Sequence, residues 1–161
     1  MKRDTVLIEN KKAKMRYTLL EDFSAGIELF GFETKSLRNK QGSLDGARVV
    51  VRGGEAYLSG MTIPPYQGAV AGQEYDAERP RRLLLKKTEI MELYDAESKK
   101  GLTVVPFEVY NNRYVKVRIG VVRGKGKSDK REAIKKKEAD KDAARALRRK
   151  WYSYLRKEYW N

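Results

Sequence analysis

Cysteine and histidine are both absent from the 161 residues. Without cysteine there is no disulfide framework, no thiolate zinc site and no thiol nucleophile. Without histidine, the Ser-His-Asp triad, the usual proton shuttle and the commonest metal ligand are missing. No run of 18 apolar residues occurs, so no membrane-spanning helix is expected. Lys2, Arg3 and Asp4 follow Met1 with no apolar stretch behind them, so a signal peptide is not expected either. An enzyme built from this sequence would have to use carboxylates, lysine, serine or tyrosine. Glu21 with Asp22, and Glu28 with Glu33, are the densest carboxylates. A metal-dependent nuclease on Glu28 and Glu33 is one form such an activity would take, but strand surfaces carry such residues routinely. Neither Gly-rich phosphate-binding motif is present. No catalytic activity, cofactor or metal is expected.

Positive charge is abundant instead. Lys and Arg number 36 against 22 Asp and Glu, a formal net charge of +14. Residues 123–161 alone carry 15 basic and 6 acidic side chains, a net of +9. Charge of one sign at that density repels itself until a polyanion answers it. Nucleic acid is the first such partner to consider and an acidic membrane surface the second; a solvated tail that keeps the protein soluble is the plain alternative.

Three regions follow from patterning. Residues 1–13 read as a flexible basic arm. Residues 14–122 read as a mainly β domain with short helices. A strand is predicted at 16–20, a tight turn at Glu21–Gly26, and a long bent strand over 27–37 with a bulge at Gly31. A hairpin turning at Gly53–Gly54 follows, then a long loop over 66–82. A helix near 88–99 starts at Thr88 as N-cap, and a second hairpin turns at Asn111–Asn112. Strands in hairpin order, in a domain this small, point to an OB-type antiparallel β-barrel, with an SH3-like barrel as the alternative. In the last strand Val115, Val117, Ile119 and Val121 face one way, and Tyr114, Lys116 and Arg118 the other. That second face reads as wet and basic.

Residues 123–161 read as a basic tail. Gly124 and Gly126 form a hinge. A helix from Lys130 toward Trp151 has strong helix formers but no apolar stripe between Lys135 and Asp142, so it is expected to be loose when free and helical when bound. Five of the 16 aromatic residues fall in the last eleven positions. They suit base stacking and equally an amphipathic end that folds back on the barrel, and both readings stay open.

Basic patches at Lys11, Lys12, Lys14 and Arg16, at Arg79, Arg81, Arg82, Lys86 and Lys87, and at Lys116 and Arg118 add up to a polyanion-binding surface. Beyond composition, specific blocks carry a resemblance. Asn10-Lys11-Lys12-Ala13, Phe23 to Leu29, Gly31-Phe32-Glu33-Thr34-Lys35-Ser36-Leu37-Arg38, Gly54 to Leu58, Arg81 to Lys86, Gly101 to Pro106, and Asp129-Lys130-Arg131 before a basic helix occur in one order. Together they resemble the bacterial SsrA-binding (small protein B, tmRNA-binding) family.

The resemblance implies a non-catalytic RNA-binding protein of the bacterial cytoplasm. It would bind the tRNA-like domain of tmRNA and deliver it to stalled ribosomes for trans-translation. Its partners would be tmRNA, the 16S rRNA decoding region and mRNA channel, and elongation factor Tu through charged tmRNA, with no membrane; a basic barrel with a loose tail is itself most simply a monomer. Asn10, Lys11, Lys12, Lys35, Ser36, Arg38, Arg82, Leu84 and Lys86 would face RNA, joined by Lys116 and Arg118 from the wet strand face. Glu33 would orient neighbouring cations. Lys125, Lys127, Asp129, Lys130, Arg131, Lys135, Lys136, Lys137, Arg145 and Arg148 would engage the ribosome. Relatives often carry Glu where Ser24 stands and Trp where Phe32 stands, and some carry His where Ser128 stands. A general OB-fold rRNA-binding or ribosome-assembly protein without tmRNA preference is the alternative function.

Overall fold

The computed structural model describes residues 4–66, 74–125 and 149–153. The chain divides into two units, Met1–Gly124 and Lys125–Asn161. The first holds β1 (Thr5–Glu9), α1 (Lys11–Arg16), β2 (Tyr17–Ile27), α2 (Gly31–Arg38), β3 (Arg48–Arg52), β4 (Glu55–Ser59), β5 (Arg81–Leu84), α3 (Lys87–Ser98), β6 (Leu102–Asn112) and β7 (Tyr114–Gly124). In the second, 149–153 is helical, and the Trp151 and Tyr152 rings meet edge to face at 5.9 Å. Lys127, Asp129, Lys130, Arg131, Lys135, Lys136, Lys137, Arg145 and Arg148 lie outside the described residues, as does most of the expected tail helix.

The strands form one antiparallel sheet in the order β1-β6-β7-β2-β5-β4-β3. β3, at one end, packs beside β6, and α3 packs on both. The sheet therefore rolls up on itself, which is the mainly β barrel architecture expected from the sequence. Alternation sets the inward side: Phe23, Ala25 and Ile27 of β2, and Val115, Val117, Ile119 and Val121 of β7, all join one core. Helix α3 closes it with Ile90, Leu93 and Ala96, a spacing of three that places all three on one helical face. Burial on β6 runs unbroken from Val104 to Tyr110. The cause is a second, smaller cluster in which Ala13 of α1 meets Val105, Phe107 and Val122, with Tyr17 and Leu19 beside them. A strand covered on both faces shows a continuous apolar run rather than alternation.

Several expectations need correcting. Of the arm expected over 1–13, the described residues are docked: Thr5–Glu9 pairs with β6 and Leu7 is buried in the core. Glu21–Gly26 is strand rather than turn; β2 runs through it, paired to β7 with a bulge between Leu19 and Glu21. The bent strand expected over 27–37 ends at Ile27, and Gly31–Arg38 is helix. Phe30 and Phe32 mimic strand alternation, but Glu33, Ser36 and Leu37 are the buried positions, at helical spacing. Glu33 fixes the helix start by accepting the Phe30 N–H at 2.8 Å, the N3 half of a capping box. Helix α3 begins at Lys87, with Lys86 rather than Thr88 as its N-cap, and the Glu89 carboxylate accepts the Lys86 N–H at 3.3 Å. In the β6–β7 hairpin the positive φ falls on Arg113 (53°) rather than on either asparagine.

Candidate nucleic-acid interface

Strands β7, β2 and β5 are consecutive in the sheet, and their outer side holds an open cleft of about 370 Å³. Ser24 and Gly26 of β2, Arg82 and Leu84 of β5, and Lys116 of β7 line it, with Lys86 and Glu89 at the start of α3 and Glu55 on β4. Leu84 is half exposed, so the cleft has an apolar wall among charged side chains of both signs. Among the described residues no carboxylate forms an ion pair with Lys86 or Lys116. Arg82 differs: Glu55 takes its Nε and Nη2 at 3.0 and 3.2 Å, and Glu28 takes its Nη1 at 3.1 Å. Two carboxylates thus hold the Arg82 guanidinium flat and offset its charge. The uncompensated cations here are the two lysines.

Beside the cleft, the hydroxyls of Ser24 and Tyr110 share a short hydrogen bond. Burial pushes the Tyr110 hydroxyl above its ordinary pKa against the opposing pull of Ser24 and Arg118, so it stays protonated at neutral pH. The Arg118 guanidinium lies 4.4 Å from the Tyr110 ring centroid and is bound by Glu108 and by Asp4, the latter at 3.2 Å.

A second polar assembly sits under α2. Glu33 has no exposed surface, and neither does Arg81. Arg81 donates its Nε and Nη2 to Glu33 Oε2 at 3.0 and 2.7 Å, and Nη2 also reaches the Ala77 carbonyl at 2.8 Å. Arg79 pairs with Glu33 Oε1, and its guanidinium stacks 4.0 Å from the Phe30 ring centroid. The Tyr75 hydroxyl lies 2.8 Å from Glu33 Oε2 and 2.9 Å from the Ile63 carbonyl oxygen. Burial alone would raise the Glu33 pKa, but hydrogen bonds from Arg79, the Phe30 N–H, Arg81 and Tyr75 outweigh it and hold the carboxyl below its ordinary range. Burial first, and Glu33 second, push Tyr75 up to about 12.

The model of the SmpB protein family matches residues 7–149. The chain belongs to the SmpB protein family. It is similar to the SsrA-binding proteins of Gloeobacter violaceus, 42% identical over 145 residues that cover 89% of this chain and 95% of the relative, and of Latilactobacillus sakei, 44% identical over 148 residues covering 90% and 93%. The SsrA-binding protein of Microcystis aeruginosa is 40% identical over 145 residues, 89% of this chain and 94% of the relative. Among solved structures, a chain of "tmRNA-SmpB: a journey to the center of the bacterial ribosome" is 40% identical, with a TM-score of 0.65 over 79% of this chain and 93% of that one.

Within this SmpB chain, the residues expected to face RNA separate into three groups. Arg82, Leu84, Lys86 and Lys116 line one cleft. Lys11 and Lys12 of α1, and Lys35 and Arg38 of α2, are exposed but line no part of it. Lys12 pairs with Asp45 at 3.4 Å, and Lys35 lies 5.9 Å from the Tyr66 ring centroid. Asn10, Ser36 and Arg118 are buried, and there the expectation is corrected. The Ser36 hydroxyl donates to the Pro64 carbonyl at 2.6 Å. Arg118 points outward from β7, as alternation requires, but Glu108, Asp4 and the Tyr110 ring cover it. Lys125 is half-buried at the end of the second described stretch. The cleft residues missed in the sequence include Gly26, Glu55, Leu83, Leu85 and Glu89. For those on strands the only signal is register, which needs pairing partners to read; Glu89 enters from the first turn of α3.

Asn10 is the clearest correction. Its Oδ1 accepts the Ala13 N–H at 3.2 Å, while Nδ2 donates to the Pro106 and Leu44 carbonyls at 2.9 and 3.3 Å. One side chain caps α1 and ties it to β6 and to the turn before β3. Asn10→Ala is expected to cost about 2 kcal/mol, the upper end for a lost N-cap, because two buried carbonyls also lose their donor. Urea unfolding checks this. An unchanged midpoint with weakened RNA binding would return Asn10 to the interface.

Proposed function

We propose that this chain binds the tRNA-like domain of tmRNA and carries it to stalled ribosomes. The observation that supports it most directly is the uncompensated Lys86 and Lys116 beside the exposed Leu84 on the sheet's outer side, within a chain of the SmpB family. Relatives carry the name SsrA-binding protein, and a similar solved chain belongs to a tmRNA-SmpB structure of the bacterial ribosome. The chemistry is recognition by charge and shape. Lysines meet phosphates, and the rigid barrel presents a fixed surface to a folded RNA. Lys11, Lys12, Lys35 and Arg38 widen the cationic surface on the adjoining helices. The tail works in the vacant mRNA channel and near the 16S rRNA decoding region, and elongation factor Tu joins through charged tmRNA. The protein acts as a monomer in the bacterial cytoplasm and catalyses nothing itself; peptidyl transfer belongs to the ribosome.

A salt titration of binding to the tRNA-like domain, against mature elongator tRNA, tests this reading. A preference for tmRNA that persists at about 200 mM salt is expected, since sequence-blind phosphate contacts fade steeply over that range. Lys86→Ala and Lys116→Ala are each expected to lower the slope of log K against log salt by about 1. Equal binding to both RNAs, lost together as salt rises, would leave the general rRNA-binding alternative.

A further inference from the structure

The cleft owes its shape to a missing side chain. Gly26 sits in β2 directly between Leu84 of β5 and Lys116 of β7, paired with both in register. Neighbouring strands are ~4.8 Å apart, so the Leu84 and Lys116 backbones flank a gap of about 10 Å whose floor has no side chain. A Cβ at position 26 would stand 3.1 Å from Leu84 Cβ and 3.3 Å from its Cδ1. Leu84 therefore leans over the glycine, and any other residue there would push it away or fill the gap. One wall is the exposed leucine, the floor is bare backbone, and Ser24, two residues along β2 on the same side, closes one end with a hydroxyl anchored to Tyr110. Lys86 and Lys116 also line the cleft, as do Arg82 and the carboxylates of Glu55 and Glu89.

We infer that this slot takes a single unstacked nucleobase of the bound RNA, lying flat on Gly26 and Leu84, with its flanking phosphates on Lys86 and Lys116. Three properties argue for a base over a bare phosphate. The wall is apolar, and a phosphate gains nothing there. The slot is flat-floored, which suits a planar ring. Its two unpaired lysines come from different elements, Lys116 from β7 and Lys86 from the start of α3, so charge is available to the backbone on both sides of the ring. Flat, sequence-tolerant stacking of this kind recurs where single-stranded bases meet apolar side chains, and an RNA loop supplies bases free to turn out. The inference rests on the RNA-binding reading above and adds to it a contact that a duplex cannot make.

The test uses the full chain and the tRNA-like domain of tmRNA, made with an abasic site at one single-stranded position at a time. For the unaltered protein, one position is expected to weaken binding by about 5- to 150-fold, the range for loss of one stacked base. Leu84→Ala, at an exposed position that leaves the core intact, is expected to weaken binding to intact RNA by a similar factor. It should then show no added loss with the RNA abasic at that position. Gly26→Val should behave the same way if its unfolding midpoint shows that it folds. Full affinity for every abasic RNA would overturn the slot, and so would losses that simply multiply between protein and RNA variants. Neither result touches the RNA-binding reading, which instead fails if intact tmRNA and elongator tRNA bind alike.

Discussion

Glu33→Leu is expected to destabilise the barrel by about 3–5 kcal/mol, because it removes one partner of a fully buried ion pair and leaves the other charged. The Arg81 side chain has no exposed surface, and its Nε and Nη2 both point at Glu33. With leucine in that place the Met61 and Ala77 carbonyls still bind the guanidinium, but its charge has no counterion. The Phe30 N–H also loses the acceptor that starts α2, and Arg79 loses the carboxylate that seats it on Phe30. Domains of this size hold roughly 5–15 kcal/mol in all, so the loss is a large share. Arg82→Met supplies the contrast. Its ion pairs with Glu28 and Glu55 are equally numerous but half exposed, and surface pairs contribute about 0–1 kcal/mol. Urea midpoints for the two variants should differ widely. Similar midpoints would mean that the Glu33 assembly adds little to stability.

The same carboxylate sets an acid limb. Its folded pKa is below the ordinary 4.5, so the folded state favours the ionised form. That contribution is present in full above the unfolded value and is lost as pH falls through the lowered one. Stability should therefore decline below about pH 4.5. Glu33→Gln, where it folds, should flatten that limb while leaving the neutral-to-alkaline side alone.

Much of the fold was legible because β patterning is local. The alternation Val115, Val117, Ile119 and Val121 requires one buried face, and Gly53–Gly54, with φ of 59° and 75°, can only turn a hairpin. Helix α2 was not legible by alternation, since two flanking phenylalanines imitate period two while the decisive buried position is a glutamate. A charged residue reads as surface until its partners Arg79, Arg81 and Tyr75 are brought to it from more than forty positions away. The same limit explains Arg118. Its face was assigned correctly, but Asp4 from the far end of the chain covers it. The candidate site divides along this line. Lys116 is visible as a basic residue on a predicted strand and Lys86 as one before a predicted helix, whereas Leu84 lies on β5, a strand that was not expected between the loop over 66–82 and that helix. The slot between them exists only through the register that sets Gly26 opposite both Leu84 and Lys116.

The largest functional effect is expected from ending the chain after Lys125. The segment removed carries 13 basic and 6 acidic residues, half of the net +14, while the cleft and the whole sheet remain. The cut must fall there and not after Val122, because Arg123 and Gly124 pair with Thr18 and Tyr17 on β2; a shorter chain would fray the strand that carries Ser24 and Gly26. If the barrel alone recognises the tRNA-like domain, the shortened chain keeps its preference for tmRNA over elongator tRNA and the salt dependence of that complex. Rescue is another matter. Contacts to six to ten phosphates make affinity so charge-dependent that raising salt from ~50 to ~200 mM costs about 10³–10⁵-fold, and removing a tail of this charge forfeits such contacts on the ribosome. Peptide tagging on ribosomes stalled without a stop codon should then fall steeply, by at least about 10-fold, while RNA binding stands. Parallel loss of both would place the tail in the tmRNA contact itself. Undiminished tagging would remove it from the mechanism.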